Sequence, residues 1–197
     1  MVTNARVTRD LVEREAPDAV VVATGATPWR PPIEGADEGH VVDAWQVLLG
    51  EANVGASVVV ADWRCDWVGL GIAEKLALDG CRVRLCVNGT MAGQTIQQYL
   101  RDAWVGRLHK LGVEIIPYAR LFGVDADSVY LQHTTSGEAI VCAGVDTLVT
   151  ALGHEAASGL EEALEGFAGE VHCIGDCLSP RSAEEAVLEG LKVATAL

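Results

Sequence analysis

The residue pattern with the clearest chemical meaning lies late in the chain, where the strand-like run 171–174 stops at Gly175 and Asp176. A glycine at the end of a strand lets a ligand approach the backbone, and Asp176 offers a carboxylate to the hydroxyl groups of a ribityl chain or a ribose. The helix predicted at 183–197 would present free N–H groups, which suit a pyrophosphate. The same residues are also typical of an ordinary strand–turn–helix, in which Asp176 only caps the turn.

Two other strand-like runs end in similar turns. The run 19–23 stops at Thr24 and Gly25, and the run 145–152 stops at Gly153. Short runs that are apolar at every position are typical of strands covered on both faces, as in parallel sheets. Thr24, Gly25 and Gly153 therefore follow strand-like runs in the same way as Gly175 and Asp176 do.

A second candidate nucleotide site lies in the middle of the chain. A strand at 56–62, a helix at 69–78 and a strand at 81–87 form a predicted crossover unit. The cofactor contacts that such a unit suggests are Asp62, Gly69, Gly71 and Asn88.

Each of these candidates has a competing interpretation. The glycines of a nicotinamide-nucleotide binder are replaced after the strand by a segment with two tryptophans and the carboxylates of Asp62 and Asp66, which would repel a diphosphate. Gly69 and Gly71 equally suit close helix–sheet packing. Asn88 lies where a ribose-reading acid is expected, but asparagine is also common in turns.

Composition narrows the classes of function. Acidic residues number 28 and basic residues 14, so the net charge of −14 disfavours binding to nucleic acid or to an anionic membrane surface. We find no signal peptide and no membrane-spanning run, so we expect a cytoplasmic protein. The six cysteines form no C-x-x-C pair, and we expect reduced thiols and no metal.

The remaining pattern predicts a doubly wound α/β fold. Helices are expected at 8–16, with Thr8 as its cap, and at 94–111, and a small antiparallel meander at 119–143. The prolines and glycines from Pro28 to Gly39 predict an extended connector without helix. Five tryptophans suit either a partner interface or the core: Trp29, Trp45, Trp63, Trp67 and Trp104.

The order of these motifs resembles the two-dinucleotide-domain flavoproteins. Strand-Ala-Thr-Gly-x-x-Pro at 23–28, an inserted unit, strand-Ala-Leu-Gly at 151–153 and Ile-Gly-Asp at 174–176 follow one another over almost the whole chain. The stretch from Gly175 to Gly190 is similar in particular to the C-terminal region of the NADH:flavin oxidoreductases related to Old Yellow Enzyme. That group includes trimethylamine dehydrogenase, 2,4-dienoyl-CoA reductase and bacterial N-demethylases.

The resemblance implies a Rossmann-like flavin lobe at 1–52 and 153–197, and an inserted NAD(P)-type lobe at 53–152. Thr24, Gly25, Gly175 and Asp176 would border FAD, and the resemblance makes Gly153 a further candidate cofactor contact. No G-x-G-x-x-G precedes Asp18, and a strand, a Gly-rich turn and a helix need ~30 residues, so we expect the flavin lobe to be incomplete.

Three functional hypotheses follow. In the first, the chain is the FAD/NAD(P)-type module of a flavin-dependent oxidoreductase, inactive by itself, whose partner is the flavin-carrying barrel domain or subunit that the resemblance implies. In the second, it binds only an adenine nucleotide such as ADP, or docks a partner flavoprotein without catalysis. In the third, it is an autonomous NAD(P)H reductase. No residue pattern identifies a catalytic group. The sequence leaves open whether the chain binds NAD(P)H and whether it binds any cofactor at all. A homo-oligomer is compatible with each of the three hypotheses.

Overall fold

The computed structural model describes residues 2–37 and 40–197, and the chain divides into two compact units. Unit 1 joins the chain up to Trp29 to His154–Leu197, and unit 2 is Arg30–Gly153. The helices are α1 (Arg9–Glu15), α2 (Ala44–Leu49), α3 (Trp67–Leu78), α4 (Gln98–Lys110), α5 (Gly159–Ala163) and α6 (Ala183–Ala196). The strands are β1 (Ala19–Val22), β2 (Ala26–Pro28), β3 (Val41–Asp43), β4 (Ser57–Asp62), β5 (Arg82–Val87), β6 (Glu114–Ile116), β7 (Ala119–Val124), β8 (Ser128–His133), β9 (Ala139–Ala143), β10 (Thr147–Ala151), β11 (His154–Ala156) and β12 (Glu170–Cys173).

Unit 2 is built on a five-stranded parallel sheet with the order β3-β10-β4-β5-β6. Its strand β4 is buried along its whole length because both faces are covered. Val58 and Val60 pack in one apolar cluster with Leu70 of α3, whereas Val59 packs in another with Leu131 of β8. Alternate side chains of a strand point to opposite faces, and burying each valine stabilises the fold by roughly 2 kcal/mol.

The second face of this sheet is covered by the predicted meander. Strands β7, β8 and β9 form an antiparallel sheet, and the register of β7 shifts between Leu121 and Gly123. Leu121, Val129 and Cys142 belong to the same cluster as Val59. The predicted meander is thus confirmed.

Unit 1 contains two small sheets. β1 pairs in parallel with β12, and β2 pairs antiparallel with β11. Val12 of α1, Val22 and Cys177 pack together as the core of this unit. Thr8 caps α1 as predicted, since its side chain accepts a hydrogen bond from the N–H of Leu11.

The boundary between the units differs from the predicted one, because residues 30–52 belong to unit 2. Strand β3 pairs with β10, with Val41 opposite Leu148. Asp43 then begins α2 with a capping box, and Ala44 and Val47 are buried in the core of unit 2. Helix α2 therefore begins after the predicted connector, whose described residues 28–37 contain no helix, while Gly39 lies outside the described residues.

The fold is α/β and Rossmann-like, as predicted: a parallel sheet with crossover helices on one face and the antiparallel meander on the other. Across residues 2–37 and 40–197, no helix combines the length and the apolar character needed to cross a membrane.

Candidate nucleotide-binding site

The turns that follow β1 and β12 lie side by side in unit 1. The two strands are parallel and in register, with Val22 opposite Cys173, and the N–H of Ile174 donates to the carbonyl of Val22 over 3.0 Å. Thr24 and Gly25 after β1, and Gly175 and Asp176 after β12, therefore leave the sheet at the same edge. The carboxyl edge of a parallel sheet is where open α/β folds bind ligands.

The turn after β1 has an open backbone. Gly25 has a φ of +77°, and a Cβ atom built there would have no neighbour within 4 Å. The carbonyl of Gly25 accepts from the N–H of Ala157 at 3.0 Å, and the Thr24 hydroxyl donates to the Ala157 carbonyl at 2.7 Å. The Thr24 hydroxyl thus holds the loop, and the free space lies beside Gly25.

The turn after β12 is a 3-10 helix over Gly175–Cys177. Oδ1 of Asp176 accepts from the N–H of Arg181 at 3.2 Å, and within the described residues no hydrogen bond reaches its Oδ2. The N–H of Gly175 donates to Oε2 of Glu189 at 2.7 Å, and Arg181 pairs with the other oxygen of Glu189. Asp176 therefore keeps an acceptor available, while the Gly175 N–H is occupied by Glu189.

Cys177 holds this turn against the ends of β1 and β12. Its side chain is buried, and its Sγ lies 3.1 Å from the carbonyl oxygens of both Val22 and Ile174. This contact ties the two junctions together. The roles of Cys177 and Glu189 were not predicted from the sequence. For Glu189 the available signal was helical periodicity, which could have placed it on the face of α6 directed at Gly175.

The turn between β4 and α3 in unit 2 contains a buried carboxylate. Asp62 is fully buried, and its Oδ1 accepts from the N–H groups of Arg64 at 3.0 Å and Cys65 at 2.8 Å. Its Oδ2 has no hydrogen-bond partner among the described residues. Desolvation, aided by repulsion from Asp66, raises the pKa of Asp62 from 3.8 to about 7 although those two hydrogen bonds lower it.

Gly69 and Gly71 differ in their surroundings. A Cβ atom at Gly69 would lie 2.1 Å from Oδ2 of Asp62, so α3 can approach β4 only with glycine there. A Cβ atom at Gly71 would meet only Trp104, at 3.8 Å, which is an ordinary contact. Close helix–sheet packing thus accounts for Gly69 and leaves Gly71 without a steric reason.

Asn88 follows β5, and its backbone N–H donates to the carbonyl of Asp62 at 2.9 Å. The next residues also contact the β4–α3 turn. Thr95 donates to the carbonyl of Cys65 from its N–H at 3.2 Å and from its hydroxyl at 3.1 Å. A Cβ atom at Gly89 would lie 3.0 Å from the Cys65 Sγ. The space beside the turn is therefore lined by this chain's own atoms.

Gly153 closes β10 with a φ of +118°, and a Cβ atom there would lie 3.2 Å from Cδ of Arg64. Arg64 pairs in turn with Asp66 over 2.9 Å, and Asp66 caps α3 by accepting from the N–H of Val68. Asp62, Gly69, Asn88 and Gly153 therefore surround one turn of unit 2, whereas Thr24, Gly25, Gly175 and Asp176 form the junctions of unit 1.

Two of the five tryptophans pack against the core, as one of the two interpretations predicts. Trp63 and Trp104 pack against the clusters of unit 2, where Arg120 lies over Trp63 and Arg107 over Trp104. The ring of Trp67 packs against that of Trp104 at a tilt of 53°, with centroids 5.8 Å apart, and Trp67 is 46% exposed. Among the described residues no group of three or more His, Cys, Asp or Glu could hold a metal ion, and all six cysteines are free.

Comparison with known proteins shows what this chain is similar to. No protein-family model matches the chain. A bilirubin reductase of Mediterraneibacter gnavus is 31% identical over 190 residues, which cover 95% of this chain and 29% of that protein. A probable N-methylproline demethylase of Rhizobium meliloti is 34% identical over 116 residues, or 59% of this chain and 17% of that protein. A solved 2-naphthoyl-CoA reductase structure, in complex with 2-naphthoyl-CoA, has a TM-score of 0.85 at 29% identity and covers 96% of this chain and 28% of its own.

The chain fits the NADH:flavin oxidoreductase family related to Old Yellow Enzyme. It corresponds to the C-terminal region of that family, as the Ile-Gly-Asp and Ala-Thr-Gly motifs predicted. The chain spans less than a third of the length of these relatives, at 29%, 17% and 28%. Members of the NADH:flavin oxidoreductase family thus contain further segments that the matched region does not include.

Proposed function

We propose that the chain is the FAD/NAD(P)-type module of a flavin-dependent oxidoreductase, and that unit 1 is its flavin-nucleotide lobe. The observation that carries the proposal is the pairing of β1 with β12 in register, which brings Thr24-Gly25 and Gly175-Asp176 to one edge. Relatives that match over most of the chain carry the names of reductases. The barrel that would complete such an enzyme is part of the proposal, either as a domain or as a subunit.

The residues of unit 1 fit such a nucleotide. Gly25 leaves its backbone open on the side where a Cβ would stand, and Asp176 keeps one carboxylate oxygen for a ribityl or ribose hydroxyl. The pair Arg181–Glu189 holds the N–H of Gly175 and fixes the position of Asp176 through the Arg181 N–H. When bound, a flavin would supply the electron-transfer chemistry, and these residues would only hold and orient it.

A comparison within the chain supports an incomplete lobe. In unit 2, β10 precedes an Ala-Leu-Gly turn and lies between two strands, β3 and β4. In unit 1, β1 precedes the similar Ala-Thr-Gly turn, but among the described residues it pairs only with β12. Val21 of β1 is 43% exposed, and Val187 and Leu191 of α6 are 72% and 60% exposed. These apolar positions suit a further strand and helix supplied by the rest of the enzyme or by a partner.

Binding of FAD to the protein made from its complete reading frame tests this function. We expect FAD to bind, and Asp176→Ala to weaken FAD binding by about tenfold or more, since a hydrogen bond from a hydroxyl donor to a charged acceptor is worth about 1.5–3 kcal/mol. Isothermal titration calorimetry measures both affinities. Asp18→Ala is the matched control, because Asp18 is an exposed carboxylate at the opposite end of β1 and its loss should leave FAD affinity unchanged.

The same titration distinguishes the alternatives. Equal affinities for ADP and FAD would favour an adenine-nucleotide module over a flavin lobe. Failure of FAD and ADP to bind would contradict the proposal and leave a role in docking a partner flavoprotein. Equal loss of affinity in the Asp176 and Asp18 variants would show that the Gly175-Asp176 turn is not the site.

A further inference from the structure

The β4–α3 turn of unit 2 lies where a dinucleotide-binding fold presents its backbone N–H groups to the phosphates of the cofactor. In this chain the carboxyl group of Asp62 already accepts from those groups. The Asp62 carboxylate takes the N–H of Arg64 at 3.0 Å and that of Cys65 at 2.8 Å, and it is fully buried. The Asp66 carboxylate takes the N–H of Val68 in the first turn of α3.

The packing of α3 is adapted to this carboxylate. The second oxygen of Asp62 would lie 2.1 Å from a Cβ at Gly69, so the glycine leaves room for the aspartate itself. In a dinucleotide-binding turn, a glycine leaves room for the pyrophosphate instead. The space that the glycine provides is therefore already filled from within the protein.

The turn is also held in place by contacts with Thr95 and by the pairing of Arg64 with Asp66. Thr95 contacts the Cys65 carbonyl through two hydrogen bonds. The Arg64 side chain lies against Gly153 on the other side and is paired with Asp66 over 2.9 Å. A diphosphate entering here would lose its N–H donors to Asp62, and it would meet two carboxylates at close range.

We propose that the Asp62 carboxylate permanently replaces the cofactor phosphates at the β4–α3 turn, so that unit 2 has the fold of a nicotinamide-nucleotide domain but no nicotinamide-nucleotide site. Asp62, Gly69 and Asn88 then act in packing and turn formation rather than in contact with NAD(P)H. Any nucleotide that the protein holds is bound by unit 1. This inference goes beyond the proposed flavin lobe, and it stands whether or not FAD binds there.

Removal of the carboxylate tests the inference. The wild-type protein and Asp62→Asn, which keeps the shape of the side chain, are expected to show no binding of NADH, NADPH or inorganic pyrophosphate at unit 2. Asp62→Gly frees the N–H groups of Arg64 and Cys65 and is expected to gain one pyrophosphate site relative to the wild type. Calorimetric stoichiometry measures that gain, and any site in unit 1 is common to all three proteins.

The outcomes are decisive in both directions. Wild-type binding of NADH that slows the hydrogen exchange of residues 62–70 would overturn the inference, and this measurement needs no variant. A folded Asp62→Gly protein that gains no pyrophosphate site would overturn it as well, because the turn would then hold no anion even when vacated. A gain of one site in Asp62→Gly, absent from Asp62→Asn, is the supporting result.

Discussion

Replacing Gly69 by alanine is expected to lower the free energy of unfolding by about 3 kcal/mol, the upper end of the range for overpacking a well-packed interior. The added methyl group would lie 2.1 Å from Oδ2 and 2.4 Å from Cγ of Asp62. Neither group has room to move, since Asp62 is fully buried and is held by two backbone N–H groups. Chemical denaturation followed by tryptophan fluorescence measures the change.

Gly71→Ala is the control for this prediction. It introduces the same methyl group into the same helix two residues later, where the nearest atom is Cζ2 of Trp104 at 3.8 Å. Alanine is favoured over glycine inside a helix by about 1 kcal/mol, so this variant is expected to be as stable as the wild type or slightly more stable. Equal destabilisation by both substitutions would contradict the close contact between Gly69 and Asp62.

Asp62→Asn is expected to change how stability depends on pH. The pKa of Asp62 is raised from 3.8 to about 7 in the folded protein, so the folded state holds this proton more tightly than the unfolded chain does. Protonation of Asp62 therefore stabilises the folded state fully below the pKa of Asp62 in the unfolded chain. This stabilisation is lost as the pH rises toward the folded-state pKa of about 7. Three pKa units correspond to at most about 4 kcal/mol.

Asparagine keeps the shape and the acceptor of Asp62 and does not ionise. Its stability should therefore match that of the wild type near about pH 4 and exceed it near about pH 8. Urea denaturation of both proteins across this range measures the difference. Asp127→Asn, which removes a carboxylate from an exposed turn of the meander, is the control. It should change the free energy of unfolding by the same amount at both pH values. A wild type that grows more stable than Asp62→Asn as the pH rises would contradict a buried carboxylate that is costly to ionise.

Much of the nucleotide-type fold was predictable because its signals are local. Apolar runs such as 58–61 are typical of strands covered on both faces, and the turns at Gly25 and Gly175 require left-handed backbone, which glycine adopts readily. Thr8 caps α1 by the chemistry that its residue type predicts. These features depend on neighbours in sequence, and the structure agrees with the sequence at each of them.

The segment 41–49 was missed because its stability comes from distant residues. Val41-Val42-Asp43 is short for a strand signal, and it is held by β10, more than a hundred residues later in the chain. The capping box between Asp43 and Gln46 was a local signal for α2 that the preceding prolines obscured. The compact unit 2 therefore begins at Arg30, earlier in the sequence than the inserted lobe predicted at 53–152.

The interpretation of Asp62 also required three-dimensional information. The sequence shows a carboxylate that would repel a diphosphate, but it does not show which N–H groups the carboxylate binds. The structure shows that Asp62 accepts from the N–H groups of Arg64 and Cys65 and lies against Gly69. Asp62 therefore occupies the position of the cofactor phosphates and does not merely repel them. In the same way, Glu189 reaches the N–H of Gly175 from 14 residues away along the chain.

Hydrogen exchange of the protein made from its complete reading frame, compared with and without saturating FAD, tests the central claim most directly. The flavin lobe of unit 1 predicts slower exchange at residues 22–26 and 173–177, where the turns after β1 and β12 meet. Residues 62–70 should exchange at the same rate in both samples, because Asp62 already satisfies the N–H groups of that turn. Protection confined to residues 62–70, with none at the Gly175-Asp176 turn, would contradict the account.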